Sequence, residues 1–282
     1  IYSRGRHRLA PREHHDQRPR LGYGSFMARI TSTFTVTASD RVSPTIQRVS
    51  FDVSDITPFA ESPNTDAYVK LLFPPDTMRT YTVHSVDAEA GTLAIDFALH
   101  VADDGSVSGD QGFACAWATS ARPGDSIDAA GPGGAYSPSP DAAHHLIVGD
   151  STAIPAVAAA VRALSDGVTA DVLIEAPDPR DAGLVAERPG VGKRFVPMGD
   201  APGEALAEAA IGMIGKLVDE GRDPADVQVF IHGEAHSVMK RIRPALKDAG
   251  FRVAGASISG YWRRGRTEEA FREWKRENKP TD

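Results

Sequence analysis

The segment 144–164, HHLIVGDSTAIPAVAAAVRAL, constrains the fold more than any other part of the chain. It has the pattern of a short buried strand, a tight Gly149-Asp150-Ser151-Thr152 turn and an apolar helix. The same alternation continues downstream. TADVLIEA leads to a loop, RFVPM to a helix over 203–218, VQVFIHG to a helix over 234–249, and FRVAGASIS ends near Gly260. Strands alternating with helices imply a mostly parallel sheet covered on both faces. Ligands of such sheets bind at the carboxyl ends of the strands. That rule gathers Gly149–Thr152, Glu175–Arg180 and Gly233-Glu234 around one crevice.

Upstream the pattern changes. From Ile30 to about Gly134, FTVTAS, QRVSFDV, YVKLLF, YTVHSV and LAIDFAL are short, β-branched or aromatic, and separated by turn formers. This spacing predicts an antiparallel barrel. Gly105 to Gly112 reads as a loop, CAWATSA as a short helical turn, and RPGDSIDAAGP as a turn with a final strand. Gly131-Pro132-Gly133-Gly134 then breaks the pattern before a linker, SPSPDAA. The expected division is a barrel domain over 27–137, an α/β domain over 143–265 and a helical appendage over 266–282. In that appendage Ala270, Phe271 and Trp274 share a face. Residues 1–26 are basic and polar with no apolar core of a signal peptide, and are expected to be a disordered extension. His14 and His15 there are expected to be solvated.

At 282 residues the chain has room for two modest cores. A net charge of −7 argues against a general nucleic-acid or anionic-membrane surface. Cys115 is the single cysteine, so no internal disulfide can form, which suits a reducing cytoplasm. Its FACAWA setting reads as a packed small residue rather than a reactive thiol. No stretch reaches the roughly 20 apolar residues of a spanning helix.

Arg79-Thr80-Tyr81-Thr82 opens one of the predicted strands. Alternation puts Arg79 and Tyr81 on one face, Thr80 and Thr82 on the other. An arginine fork suits phosphate. A tyrosine ring can cover a flat heteroaromatic, and a threonine hydroxyl can hydrogen-bond a ring nitrogen.

This tetrapeptide resembles the Arg-x-Tyr-Ser/Thr flavin motif of the ferredoxin-reductase superfamily. DAYVKLLFP precedes it, and LAIDFALH, CAWATSARPGDSIDAAGPGG, LIVGDSTAIPAVAAAV, VFIHGEA and GYWRRG follow in order. The series resembles the siderophore-interacting proteins, or ferric-siderophore reductases, from Ile30 to Gly265. The resemblance implies an N-terminal antiparallel Greek-key β-barrel that binds FAD, followed by a parallel-sheet α/β domain that binds NAD(P)H. It implies a cytoplasmic, monomeric oxidoreductase that passes electrons from NADPH or NADH through FAD to a ferric siderophore and releases Fe(II). Two other readings stand beside it: a general flavin reductase with another acceptor, and a flavin-bearing siderophore-binding module fed by a ferredoxin.

Residue by residue, the resemblance makes Arg79, Thr80, Tyr81 and Thr82 flavin contacts, with Tyr81 and Thr82 beside the reacting ring. His100 takes a flavin-facing position. Ala116, Trp117 and Ala118 match a turn whose amides meet the pyrophosphate at a helix N-terminus. DDGSVSGDQGFAC is longer than the family's connection there, which leaves open which amides serve. Asp150, Thr152 and Ala153 fall in the nucleotide loop. Ser151 or Thr152 is expected to cap the helix, while the Asp150 carboxylate weakens pyrophosphate binding. Glu175 would repel a 2′-phosphate and Arg180 attract one, so NADH and NADPH both stand. Tyr261 and Trp262 are expected to line the flavin's far side. Lys70, Arg263, Arg264 and Arg266 are candidate cations for an anionic siderophore, each singly more simply a solvated charge. Lys240, Arg241 and Arg243 are expected on a solvated helix face. No zinc-like spacing and no Ser/His/Asp arrangement occurs.

Overall fold

The computed structural model describes residues 32–75, 77–100, 112–266, 270, 271 and 273. The extension at 1–26 with His14 and His15, the segment 105–111 and Trp274 lie outside them.

Six strands close into an antiparallel barrel in the order β1-β2-β5-β4-β3-β6. They are β1 (Ser32–Ser43), β2 (Ile46–Val53), β3 (Tyr68–Phe73), β4 (Thr77–Asp87), β5 (Thr92–Ala98) and β6 (Ser126–Gly133). Strand β1 pairs with both β2 and β6, so closure removes the open edges. Phe34, Phe51, Val69, Leu71, Ile95 and Phe97 fill the interior. Of the two helices among the described residues of this half, α1 (Thr57–Ala60) is a single turn and α2 (Gly112–Ser120) covers one end of the barrel. There Trp117 lies parallel to Phe51 at 6.3 Å and edge-on to Phe73 at 5.7 Å between ring centroids. Burial pushes the Cys115 thiol up to about 11, so it packs as a small apolar residue.

Gly131 to Gly133 belong to β6 rather than to a break before the linker. Glycine is needed there for a close approach: a Cβ on Gly133 would come within 2.3 Å of the Tyr68 ring. The chain then crosses to the second domain pinned by Asp66, whose Oδ1 accepts from Ala135 N and Tyr136 N at 2.9 Å each.

The second half is a five-stranded parallel sheet ordered β11-β10-β7-β8-β9. Its elements are β7 (His144–Asp150), α3 (Ile154–Ala163), β8 (Thr169–Ala176), α4 (Pro179–Ala182), β9 (Val191–Pro197), α5 (Glu204–Asp219), β10 (Val227–Glu234), α6 (Arg243–Asp248) and β11 (Ser257–Trp262). Every residue of β7 is buried, as a central strand covered on both faces requires. Ile147, Val172, Ile174 and Phe230 pack on α3. Leu146, Val148, Leu173, Val229 and Ile231 pack on the α5 and α6 side. The chain runs outward from β7 through β8 to β9 and returns on β7's other flank as β10. The switch point therefore lies at the carboxyl ends of β7 and β10.

Three local expectations change. The loop after β8 contains α4. The helix expected over 234–249 opens with a π-helical turn, Ser237–Ile242. The last strand continues past Gly260 through Trp262, which fixes Tyr261 and Trp262 on a sheet edge. The two halves also meet through side chains. Asp181 of α4 accepts from Ser43 Oγ (2.5 Å), Thr45 N (3.2 Å) and Thr45 Oγ1 (2.7 Å), and Arg162 of α3 donates to the His84 carbonyl at 2.8 Å.

Candidate functional site

The register of β3 with β4 pairs Tyr68 with Thr82, Val69 with Tyr81, Lys70 with Thr80 and Leu71 with Arg79. Val69 and Leu71 are fully buried, so Tyr81 and Arg79 share the inner face. Thr80 and Thr82 share the outer face with Lys70 and Tyr68. Tyr81 rests on Phe97 at 4.3 Å between centroids and stays half-buried. The Arg79 guanidinium lies 4.6 Å over the Phe113 ring and donates to the Met78 carbonyl at 3.0 Å. Phe113 is the second residue of α2 and is 42% exposed. A cation thus sits at the first turn of a helix, where N–H groups have no intrahelical partner.

Ala116, Trp117 and Ala118, expected at a helix N-terminus, lie inside α2. Their amides are spent within the helix, and the free ones belong to its first turn, from Gly112. Trp117 is half-buried and packs against the barrel core. His100 is exposed, two residues beyond the end of β5.

At the switch point, Asp150 is the cap. Its Oδ1 accepts from Thr152 N (3.0 Å) and Thr152 Oγ1 (2.5 Å), and its Oδ2 from Trp262 Nε1 (2.7 Å). Neither Ser151 nor Thr152 caps the helix, since the carboxylate reaches the amide first. Ala153 packs beneath, and Gly149 makes room: a Cβ there would meet Val157 Cγ2 at 2.8 Å and Ala153 Cβ at 3.0 Å. Gly233 holds φ at +155° with the Asp150 carboxylate 2.7 Å from where its Cβ would be. Glu175 accepts from Gly203 N (2.7 Å) and Leu206 N (3.2 Å), capping α5. Glu234 accepts from Ser237 N (2.8 Å) and Arg264 N (3.2 Å). All three carboxylates are at most 1% exposed. Burial raises Asp150 above the usual carboxylate range and pushes Glu175 up to about 7.

The cations divide. Arg264 pairs with Glu204 at 3.0 Å, and Arg241 pairs with the same carboxylate instead of lying on a solvated face. Arg180 is held by Asp178 at 2.7 Å. Lys70 stands half-buried beside Thr80 on the barrel's outer face, Arg263 is half-buried, and Arg266 is exposed in a turn.

Tyr261 and Trp262 diverge, as neighbours in a strand must. Trp262 turns to Asp150, while the Tyr261 hydroxyl points to the other side of the strand. The same hydroxyl is 2.7 Å from His232 Nδ1, and His232 Nε2 is 2.9 Å from Ser257 Oγ. Sequence reasoning missed His232. The signal was present as a polar residue inside the apolar strand VFIHG.

Comparison with known proteins decides what these two halves are. The siderophore-interacting FAD-binding domain profile matches residues 35–78 and 75–136, and the siderophore-interacting protein profile matches 142–265. The chain belongs to the siderophore-interacting protein family. An uncharacterised Mycobacterium tuberculosis protein is 37% identical over 86% of this chain and 94% of its own. The ferric vibriobactin reductase of Vibrio cholerae is 26% identical over 82% of this chain and 89% of its own. Among solved structures, the siderophore-interacting protein of Acinetobacter baumannii superposes with a TM-score of 0.73 at 21% identity, covering 87% of this chain and 96% of that one. A siderophore utilization protein from T. fusca gives 0.65 at 28% identity, covering 84% and 95%. The barrel is therefore an FAD-binding domain, and the half behind it completes a ferredoxin-reductase-like fold. Among the described residues no helix is long and apolar enough to cross a membrane.

The donor set fits the cofactor. Arg79 at the first turn of α2 offers charge and free amides to a diphosphate. Tyr81 offers a half-exposed ring and Thr82 a hydroxyl.

Proposed function

We propose that the protein is an FAD-dependent ferric-siderophore reductase that takes electrons from NAD(P)H. The observation that carries this reading is the convergence of Arg79 on the first turn of α2, two strand residues from Tyr81 and three from Thr82. Arg79 and the α2 amides hold the diphosphate, Tyr81 covers a ring face, and the Thr82 hydroxyl addresses the flavin N5. Bound FAD supplies the exchange between a two-electron donor and a one-electron acceptor. The substrate Fe(III) is held by hard oxygen ligands, and reduction loosens them. No covalent nucleophile is required, so the protein contributes proximity and local charge. Lys70, Arg263 and Arg266 are assigned to receive an anionic chelate. His100, exposed beyond β5, is assigned a place beside the flavin.

The test is anaerobic. The FAD-loaded protein is photoreduced, a ferric siderophore is added, and flavin absorbance is followed with an Fe(II) trap present. Rapid reoxidation with Fe(II) appearing supports the reading; a flavin that stays reduced overturns it.

A second reading replaces the nicotinamide by a reduced ferredoxin. It is favoured by the three buried carboxylates at the switch point, which oppose a pyrophosphate. Parallel assays with NADH, NADPH and reduced ferredoxin separate the donors.

A further inference from the structure

We propose that Phe113 is a positioning residue of the flavin site. Its ring holds the Arg79 guanidinium by a cation–π contact, so that the charge is set at the first turn of α2 before a diphosphate arrives. The inference rests on the reading above, because Arg79 is the residue assigned to the diphosphate.

Phe113 and Val218 are the large apolar side chains left exposed among the described residues, each at 42%. A single exposed valine on a helix needs no explanation. Phe113 differs, because its ring is held on two sides. Phe73 meets it edge-on at 5.1 Å between centroids, with the rings inclined at 74°. Phe73 is itself buried in the barrel and stands edge-on to Trp117, which lies parallel to Phe51. The packed aromatics of the barrel therefore fix the Phe113 ring from behind. On its face lies Arg79, with Cζ 4.6 Å from the ring centroid. That is within the roughly 6 Å over which a cation feels the electron-rich face of an aromatic ring. The half-buried Arg79 side chain also donates to the Met78 carbonyl at 3.0 Å. The backbone serves the same end. Gly112 enters α2 at φ +69°, a conformation that glycine adopts without strain, and the turn carries Phe113 over the β3–β4 hairpin that bears Phe73 and Arg79.

A ring holds a guanidinium differently from a carboxylate. Asp178 and Glu204 hold Arg180 and Arg264 by opposite charge, which offsets the charge they hold. An uncharged ring restrains the side chain and leaves the positive charge in place for an anion. A long arginine side chain carries large rotamer entropy, much of it lost on binding a ligand. A side chain ordered beforehand loses less, and the difference appears as affinity. Phe113 thus acts through Arg79 rather than on any reacting atom.

The test titrates the full-length apoprotein with FAD and follows flavin fluorescence. Phe113→Leu keeps an apolar side chain without a π face, and FAD affinity should fall about fivefold, the size of one cation–π contact at a partly exposed site. Phe113→Tyr, which keeps the face, should restore most of that loss. In an Arg79→Ala background, Phe113→Leu should cost nothing further, since the two residues act as one unit. A second series replaces Phe113 with phenylalanines bearing one, two and three ring fluorines. Fluorine draws electron density off the ring face and leaves its size nearly unchanged, so each addition should weaken FAD further. A flat fluorine series, or the same loss from Phe113→Leu with and without Arg79, overturns the positioning role. A graded loss of FAD in a protein whose reduced flavin does not react with a ferric siderophore overturns the reductase reading alone and leaves Phe113 in its role.

Discussion

The barrel and the α/β domain each carry a helix N-terminus at the proposed nucleotide site, and they treat it in opposite ways. At the barrel, the first turn of α2 faces Arg79, whose guanidinium lies over the Phe113 ring. At the parallel sheet, Asp150 caps the turn after β7, and Glu175 caps α5. A free helix N-terminus attracts anions, whereas one satisfied by a carboxylate has lost both its amides and its field. On the function proposed above, the first site would hold its ligand and the second would let it go. That suits a resident flavin beside a transient donor.

The largest effect expected from breaking this contrast is on the flavin. Arg79→Ala removes the cation from α2 without opening the core, since the guanidinium lies over an exposed ring. Hydrogen bonds to charged groups contribute about 1.5–3 kcal/mol, so FAD affinity should fall about 10²-fold with the fold retained. Equilibrium dialysis beside circular dichroism checks it. Wild-type affinity in the variant would remove Arg79 from the site.

Next is a pH effect confined to the sheet. Burial puts Glu175 at about 7 in the folded chain against 4.5 for the free side chain. Between those values the folded protein keeps a proton that the unfolded chain has lost, so stability is highest below the lower one. It falls as pH rises through the higher one. Neighbouring Asp150 shares the effect, and the loss should be of order 2 kcal/mol. Urea denaturation at several pH values should show this slope in the wild type and a clearly smaller one in Glu175→Gln. An unchanged slope in the variant assigns it elsewhere.

Much of this contrast was legible in the sequence, and its sense was not. The all-buried run of β7, the β-branched strands of the barrel and the RTYT motif are local patterns, so they could be read directly. Asp150 was visible as an acid in the nucleotide turn. Its partner Trp262 lies 112 residues away, and the Asp181 contact with Thr45 spans 136. Such pairings depend on how strands stack and leave no periodic trace. His232 was hidden for a related reason: one polar letter in an apolar strand looks like a satisfied core histidine until Tyr261 and Ser257 are placed against it. The GPGG segment misled in the other direction. Glycines that normally end a strand here extend β6, because the neighbouring Tyr68 ring occupies the space a side chain would need.

A smaller effect sharpens the comparison from the donor side. Asp150→Asn keeps an acceptor for the Thr152 amide, removes the negative charge and turns a donor toward Trp262 Nε1, at a stability cost of about 1–3 kcal/mol. If that charge is what makes the second site weak, flavin reduction by subsaturating NADPH should speed up about tenfold, the equivalent of one neighbouring charge interaction of about 1.4 kcal/mol. Anaerobic stopped-flow measures it. An unchanged rate would mean that shape, through Trp262 over the turn, closes the site rather than charge.

The smallest effect concerns Arg180, the exposed cation after β8. Its guanidinium makes two contacts with Asp178, at 2.9 and 2.7 Å, and pulls that carboxylate down to about 2. A charge already neutralised by its neighbour two residues away has little left for a 2′-phosphate, and an exposed pair of this kind adds little to stability. Arg180→Ala should leave the denaturation midpoint and the ratio of NADPH to NADH turnover unchanged. A marked fall in that ratio would show that the phosphate displaces Asp178, giving the α/β domain an anion site of its own. The difference between the two domains would then be one of strength, with both built to attract an anion.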